Sequence, residues 1–183
     1  MRFLPTSVMG ATIVELESRD DTRGRFARTF CEEEFARAGI GMRIVQTNTS
    51  FNPDRLTLRG MHYQADPYGE QKIVQCVRGR IFDVAVDLRP QSPSYLRWAS
   101  VELGPSSNCV FYIPNGCAHG FLTLEDDSDI VYLMGAPFIP GSGRGLRWND
   151  PAIAIAWPHA PLKISENDAD YPNFPQIPAS RKK

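Results

Sequence analysis

Helical periodicity is almost absent from this sequence, and that excludes most of the ways a chain of 183 residues can fold. Segments 12–16, 25–30, 44–51, 55–64, 71–77, 80–88, 98–103, 110–113, 119–124 and 129–133 read as short strands separated by turn residues. Only 32–38 has helical spacing, and it ends at Gly39 as a helix commonly does. About ten strands at close spacing indicate an all-β sandwich, jelly roll or barrel. The length fits a single domain with a core of its own. The tail from about 160 is rich in Pro and polar residues. It is expected to wrap the surface, with its last few residues disordered.

Strand 80–89 carries more information than its assignment. Phe82, Val84, Val86 and Leu88 alternate with Asp83, Ala85, Asp87 and Arg89. One face is therefore core and the other bears carboxylates. The pattern alone favours a solvent-facing surface for the acidic side. The alternative is a barrel interior holding a polar site.

The formal net charge of −1 argues against a protein that coats nucleic acid or anionic membrane, since both need a clustered excess of Lys and Arg. No stretch approaches the roughly 20 apolar residues of a spanning helix, and the N-terminus lacks a signal-peptide pattern. Cys31, Cys76, Cys109 and Cys117 form no C-x-x-C pair. They are read as reduced thiols of a cytoplasmic protein, with Cys76 and Cys109 buried in apolar runs.

Three clusters concentrate groups capable of chemistry. The first is Leu58-Arg59-Gly60-Met61-His62-Tyr63-Gln64, where the Gly permits a bulge or a close approach. The second, Ile113-Pro114-Asn115-Gly116-Cys117-Ala118-His119-Gly120-Phe121, places a His just after a turn. The third is a tight turn carrying two arginines, Asp21-Thr22-Arg23-Gly24-Arg25-Phe26.

Together with Gln46-x-Asn48-x-Ser50, Gln71-Lys72-Ile73-Val74, Asp83-Val84-Ala85-Val86-Asp87-Leu88-Arg89, Tyr132, Arg147-Trp148-Asn149-Asp150-Pro151 and Trp157-Pro158, these stretches resemble the dTDP-4-dehydrorhamnose 3,5-epimerase family. The motifs run in the family's order from about Asp21 to Asp168. The resemblance implies a cupin jelly-roll barrel with a few short helices, a homodimer, a nucleotide-sugar substrate, and no metal or coenzyme.

The implied chemistry explains the residue types. Inverting a carbon beside a ketone requires removal of a proton and its return on the other face. By resemblance His62 is the base, since imidazole titrates near neutral pH. Asp168 orients it. Lys72 stabilises the enolate oxygen, and Tyr132 is the acid on the opposite face. Asp83 and His119 belong to the same polar network. Arg23 and Arg59 match the diphosphate contacts. Phe26, Gln46 and Asn48 match substrate contacts, and Phe138 matches the aromatic that stacks on the base.

Some positions depart from the family pattern. Arg28 and Gly143 stand where Glu is expected, Asn167 where a basic residue is expected, and Phe138 where Tyr is usual. These changes spare the proton-transfer groups and touch the surroundings of the nucleotide. They raise the expectation of a nucleotide other than dTDP, or of a different sugar. Two competing readings are a metal-dependent cupin and a non-catalytic nucleotide-sugar-binding module. The first is disfavoured by only three histidines, His62, His119 and His159, with no H-x-H pair. The second leaves the acid and base without purpose. Inversion at C3 alone or C5 alone is a third variant, which residue identities do not separate.

Overall fold

A computed structural model describes residues 1–174. The expectation of a disordered end to the tail concerns 175–183, which lie outside the described residues. The elements in chain order are β1 (Arg2–Pro5), β2 (Thr12–Glu15), β3 (Ser18–Asp21), β4 (Gly24–Ala27), α1 (Glu32–Arg37), β5 (Gln46–Asn52), β6 (Thr57–Gln64), β7 (Lys72–Arg78), β8 (Ile81–Asp87), β9 (Trp98–Leu103), β10 (Cys109–Ile113), β11 (Cys117–Thr123), β12 (Ser128–Met134), β13 (Gly143–Gly145), β14 (Lys163–Ile164) and α2 (Glu166–Ala169).

One sheet has the order β1-β2-β10-β7-β12-β5, and the other β13-β6-β11-β8-β9 with β14 running parallel beside β6. Strands β3 and β4 form a separate hairpin. The two large sheets pack face to face as a jelly-roll barrel of the cupin type. Val74, Cys76, Phe111, Ile113 and Ile130 of the first sheet meet Ile81, Ala85, Leu103 and Phe121 of the second in a buried core. Burying the Val, Leu, Ile and Phe side chains among these contributes roughly 1.5–3 kcal/mol each, so this shared interior is what holds the sheets together.

Two further apolar layers cover the outsides. Helix α1 carries Glu32, Glu33 and Glu34 in its first turn and Arg37 in its last, which complements the helix dipole. It buries Phe35 against Phe3, Phe30 and Tyr112. On the other side Met61, Val84, Val86 and Ala118 pack under Leu146, Ile153 and Ile155 of the C-terminal segment. Both faces of β8 are therefore buried, and the solvent-facing reading of its acidic side is overturned. Asp83 and Asp87 are fully buried, Asp83 on the face that also carries Ile81 and Ala85.

Other expectations shift at their edges. The strand expected over 25–30 ends at Ala27, because its only partner is the short β3. The strands β1, β3, β13 and β14 and the helix α2 had no periodic signal; β3 reads Ser-Arg-Asp-Asp and is polar throughout. Cys109 is half-buried rather than buried, while Cys76 and Cys117 are buried, and all four cysteines are unpaired. Among the described residues no helix is long and apolar enough to cross a membrane.

Strands β6 and β11 approach closely at a pair of glycines. A Cβ added to Gly60 would lie 2.5 Å from the Gly120 Cα, and one added to Gly120 would lie 2.6 Å from the Met61 Sδ. The pair lets the backbones approach, and the register shifts between His119 and Phe121 at this point. The close approach at Gly60 is thus between two strands. It sets His62 directly opposite His119.

Candidate active site

A cavity of about 500 Å³ opens between the two sheets. The second sheet lines it with Arg59, His62 and Gln64 from β6 and His119 from β11. The first sheet supplies Gln46 and Asn48 from β5, Lys72 from β7 and Tyr132 from β12. Phe138, Gly143, Arg144 and Tyr171 form the rim.

His62 is held from behind. Its Nε2 lies 2.7 Å from Asp168 Oδ1, and the Gly60 N–H donates to Asp168 Oδ2 at 3.0 Å. Asp168 sits in α2, where the Ser165 hydroxyl accepts from its backbone N–H and caps the short helix. Burial pushes the Asp168 carboxyl up, but the bonds from His62 and Gly60 outweigh it and hold the group below its ordinary range. The His62 side chain keeps 47% of its surface open to the cavity, against 7% for Asp168. With Nε2 engaged by Asp168, Nδ1 is the ring nitrogen left for another partner.

His119 has a different setting. Its Nε2 lies 2.7 Å from Asp83 Oδ1, while Asp83 Oδ2 has no hydrogen-bond partner. Burial pushes the Asp83 carboxyl up, against the pull of His119 and Lys72. The Tyr132 ring stands edge-on to His119, with centroids 6.1 Å apart and planes at 76°. Burial, and then the negative charge of Asp83, push the Tyr132 phenol up, so it stays protonated at neutral pH.

Cations gather along the same walls. Lys72 Nζ donates to Glu70 Oε1 at 2.6 Å, and both side chains are nearly buried. Gln64 donates to Glu70 Oε2 at 2.9 Å and accepts from the Ile139 N–H and the Ser142 hydroxyl, which ties down the rim loop. Arg59 Nε donates to the buried Asn52 Oδ1 at 2.7 Å. Gln46 donates to Asn48 at 3.0 Å and accepts from the Phe138 N–H at 3.3 Å. Phe138 leaves 59% of its surface exposed at the rim.

The cavity thus collects His62, Lys72, Tyr132, Gln46, Asn48, Arg59, His119 and Phe138, with Asp168 and Asp83 directly behind it. Arg23 and Phe26 are not brought there. Both lie on the β3–β4 hairpin, where Arg23 pairs with its neighbour Asp21 at 2.6 Å and Phe26 is 74% exposed. Among the described residues the hairpin's strands pair only with each other, and neither Arg23 nor Phe26 lines the cavity. Of the departing positions, Arg28 pairs with Glu34 in a separate recess, and Asn167 Nδ2 donates to the Tyr171 hydroxyl. Only Gly143 and Phe138 face the cavity.

Sequence reasoning missed Glu70, Arg144 and Tyr171, and it quoted Gln64 without a role. Glu70 could have been found, since it lies two residues before Lys72 and so on the same side of an extended chain. Tyr171 lies in irregular chain after α2 and carried no signal. Among the described residues no group of three or more His, Cys, Asp or Glu is placed to hold a metal ion.

A histidine on one sheet, backed by a carboxylate from α2, shares the cavity with a protonated phenol and an ammonium on the other sheet. A flat ring held between them meets a proton acceptor on one face and a donor on the other.

The family model for dTDP-4-dehydrorhamnose 3,5-epimerase matches residues 5–176. A protein of that name from Methanothermobacter thermautotrophicus is 43% identical over 174 residues, covering 93% of this chain and 92% of the relative. The crystal structure of NovW, a 4-keto-6-deoxy sugar epimerase of Streptomyces spheroides, superposes with a TM-score of 0.89 at 36% identity, covering 94% of this chain and 87% of NovW. ChmJ, a 3'-monoepimerase from Streptomyces bikiniensis solved with dTDP-quinovose, gives 0.86 at 35% identity, with 93% and 86% covered. The match spans both sheets, the cavity and the segment that carries Asp168, and the chain belongs to the dTDP-4-dehydrorhamnose 3,5-epimerase family.

Proposed function

We propose that this chain is an isomerase that inverts C3, C5 or both of a 4-keto-6-deoxy sugar carried on dTDP. The ketone acidifies the hydrogens on its two neighbouring carbons. His62 removes one as a proton, and the electron pair moves into the ring to give an enolate at the carbonyl oxygen. Lys72 stabilises that oxygen. Tyr132 returns a proton to the carbon from the opposite face, so the centre inverts. His62 then loses its proton to solvent and Tyr132 regains one, and the balance closes without a redox partner.

One observation carries this reading: His62, backed by Asp168, and the protonated Tyr132 project from opposite sheets into one cavity. Arg59 and Arg144 provide fixed positive charge for a diphosphate. The dTDP assignment leans on the family and on the placement of Arg28 and Asn167 off the cavity wall. The test is incubation with dTDP-4-keto-6-deoxyglucose and proton NMR of the product. Inverted coupling at C3 or C5 supports the reading. Binding without inversion or exchange would instead make the protein a non-catalytic module.

The reading includes a homodimer. Arg23 and Phe26 are exposed and do not line their own cavity, so a second copy is the body they can serve. The outward face of the first sheet also carries exposed Thr47, Thr49, Phe51 and Val77 beside half-buried Val131 and Leu133. Such a surface suits a flat contact between copies. Sedimentation at one protein mass would oppose it. The unpaired cysteines fit a reducing, cytoplasmic setting.

A further inference from the structure

Tyr171 lines a part of the cavity wall to which neither the mechanism nor the motifs give a task. Its ring stands edge-on to the His62 ring, with centroids 6.0 Å apart and planes at 73°. The ring is seated over Gly145, and a Cβ at that position would overlap it. Gly145 is the register partner of His62 across β13 and β6, so the missing side chain opens a slot directly beside the base. Tyr171 fills that slot.

The side chain is fixed at both ends. Asn167 Nδ2 donates to its hydroxyl at 2.9 Å. Its backbone carbonyl accepts from Arg147 Nε at 3.0 Å, and the next residue, Pro172, accepts from the Arg147 N–H at 3.3 Å. The segment that sets Asp168 behind His62 thus sets Tyr171 beside it three residues later. Asn167, which departs from the family pattern, finds its role in this contact.

We propose that Tyr171 is a positioning residue that decides where the sugar ring lies against His62, and so how proton removal divides between C3 and C5. This rests on the epimerase reading. The two carbons flank one carbonyl, so a single base reaches both only from a central position, and a small lateral shift of the sugar favours one. Displacements near 1 Å are enough to change a rate by about a hundredfold. A rigid ring wedged between His62 and the cavity mouth limits that shift on one side.

The test measures deuterium entry from D2O at C3 and at C5 of dTDP-4-keto-6-deoxyglucose, for the unsubstituted protein, Tyr171→Ala, Tyr171→Leu and Tyr171→Phe. Tyr171→Ala is expected to change the C3:C5 ratio by about fivefold or more, including new exchange at a carbon that is otherwise silent. Tyr171→Leu, which keeps an apolar filling if the Ala variant does not fold, is expected to change it in the same direction. Tyr171→Phe keeps the ring and is expected to restore the ratio. A folded Ala or Leu variant with an unchanged ratio overturns the proposal. So does a Phe variant that shifts as far as Ala, because the ring would then not be the determinant. No exchange by the unsubstituted protein refutes the epimerase reading itself, a result distinct from exchange that ignores Tyr171.

Discussion

His62 and His119 are register partners across β6 and β11, and each holds a carboxylate oxygen 2.7 Å from its Nε2. The two pairs are not equivalent. His62 is open to the cavity and its partner Asp168 is held below the ordinary carboxylate range. His119 is 6% exposed and its partner Asp83 is pushed up by burial. An accessible ring backed by an ionised carboxylate can take a proton and release it. A buried ring backed by a reluctant carboxylate serves better as a fixed hydrogen-bonding group beside Tyr132. The asymmetry supports the proposal that His62, rather than His119, is the base.

Asp168→Asn keeps the shape but removes the charge that supports a protonated His62. Turnover is expected to fall on the order of 10²–10⁴-fold, the range found for general acid–base groups. Steady-state kinetics checks this, with nucleotide affinity measured alongside as the quantity that stays within a few fold.

Gly60 and Gly120 are expected to be intolerant of any side chain. Gly120→Ala places a Cβ 2.8 Å from the Arg59 carbonyl oxygen as well as against Met61. The cost should be about 2–3 kcal/mol, from overpacking between two strands. For a domain of this size that lowers the melting temperature by roughly 5–10 °C. Gly41→Ala, with nothing within 4 Å, is the control and should shift it by no more than about 2 °C. Thermal denaturation of the three proteins decides it.

Asp87 predicts a pH signature in stability. It is buried, and burial alone would raise its carboxyl. Bonds from Arg89, Ser92 and Ser94 reverse that and bring it from 3.8 to about 2. A carboxyl depressed in the folded state stabilises fully above its unfolded value and loses that contribution as pH falls through its folded value. The shift corresponds to roughly 2 kcal/mol at neutral pH, with about half remaining at pH 3. Urea unfolding of Asp87→Asn should therefore show a larger deficit against the unsubstituted protein at pH 7 than at pH 3. An equal deficit at both would count against this account of Asp87.

Calorimetric titration with dTDP, UDP, CDP and GDP bears on the nucleotide. A preference for dTDP of about tenfold or more is expected, a difference of roughly 1.4 kcal/mol. Equal or tighter binding of another nucleotide would restore significance to the departures at Gly143 and Phe138.

The strands were legible where one face is core and the other polar, as in β9, where Ala99, Val101 and Leu103 join the core and Ser100 and Glu102 do not. Period-two alternation failed for β8, because the C-terminal segment covers its second face and buries Val84 and Val86 as well. The elements missed are short and held by pairing: β14 is two residues long and exists because it lies beside β6. In the site, His62, Lys72, Tyr132 and Asp168 were readable only through family resemblance, since they come from four separate elements and no local spacing links them. Glu70 and Tyr171 escaped because each enters the site through contact with a residue already singled out, Lys72 and His62. The displacement of Arg23 and Phe26 to a free hairpin is a matter of tertiary placement, on which a motif is silent.

The most direct test of proton transfer through His62 is solvent deuterium incorporation into dTDP-4-keto-6-deoxyglucose, comparing the unsubstituted protein with His62→Ala and Tyr132→Phe. The unsubstituted protein should exchange at C3, C5 or both. His62→Ala should show no exchange at either carbon while keeping its melting temperature, and Tyr132→Phe should lose inversion but retain some exchange. Full exchange by His62→Ala would contradict the mechanism.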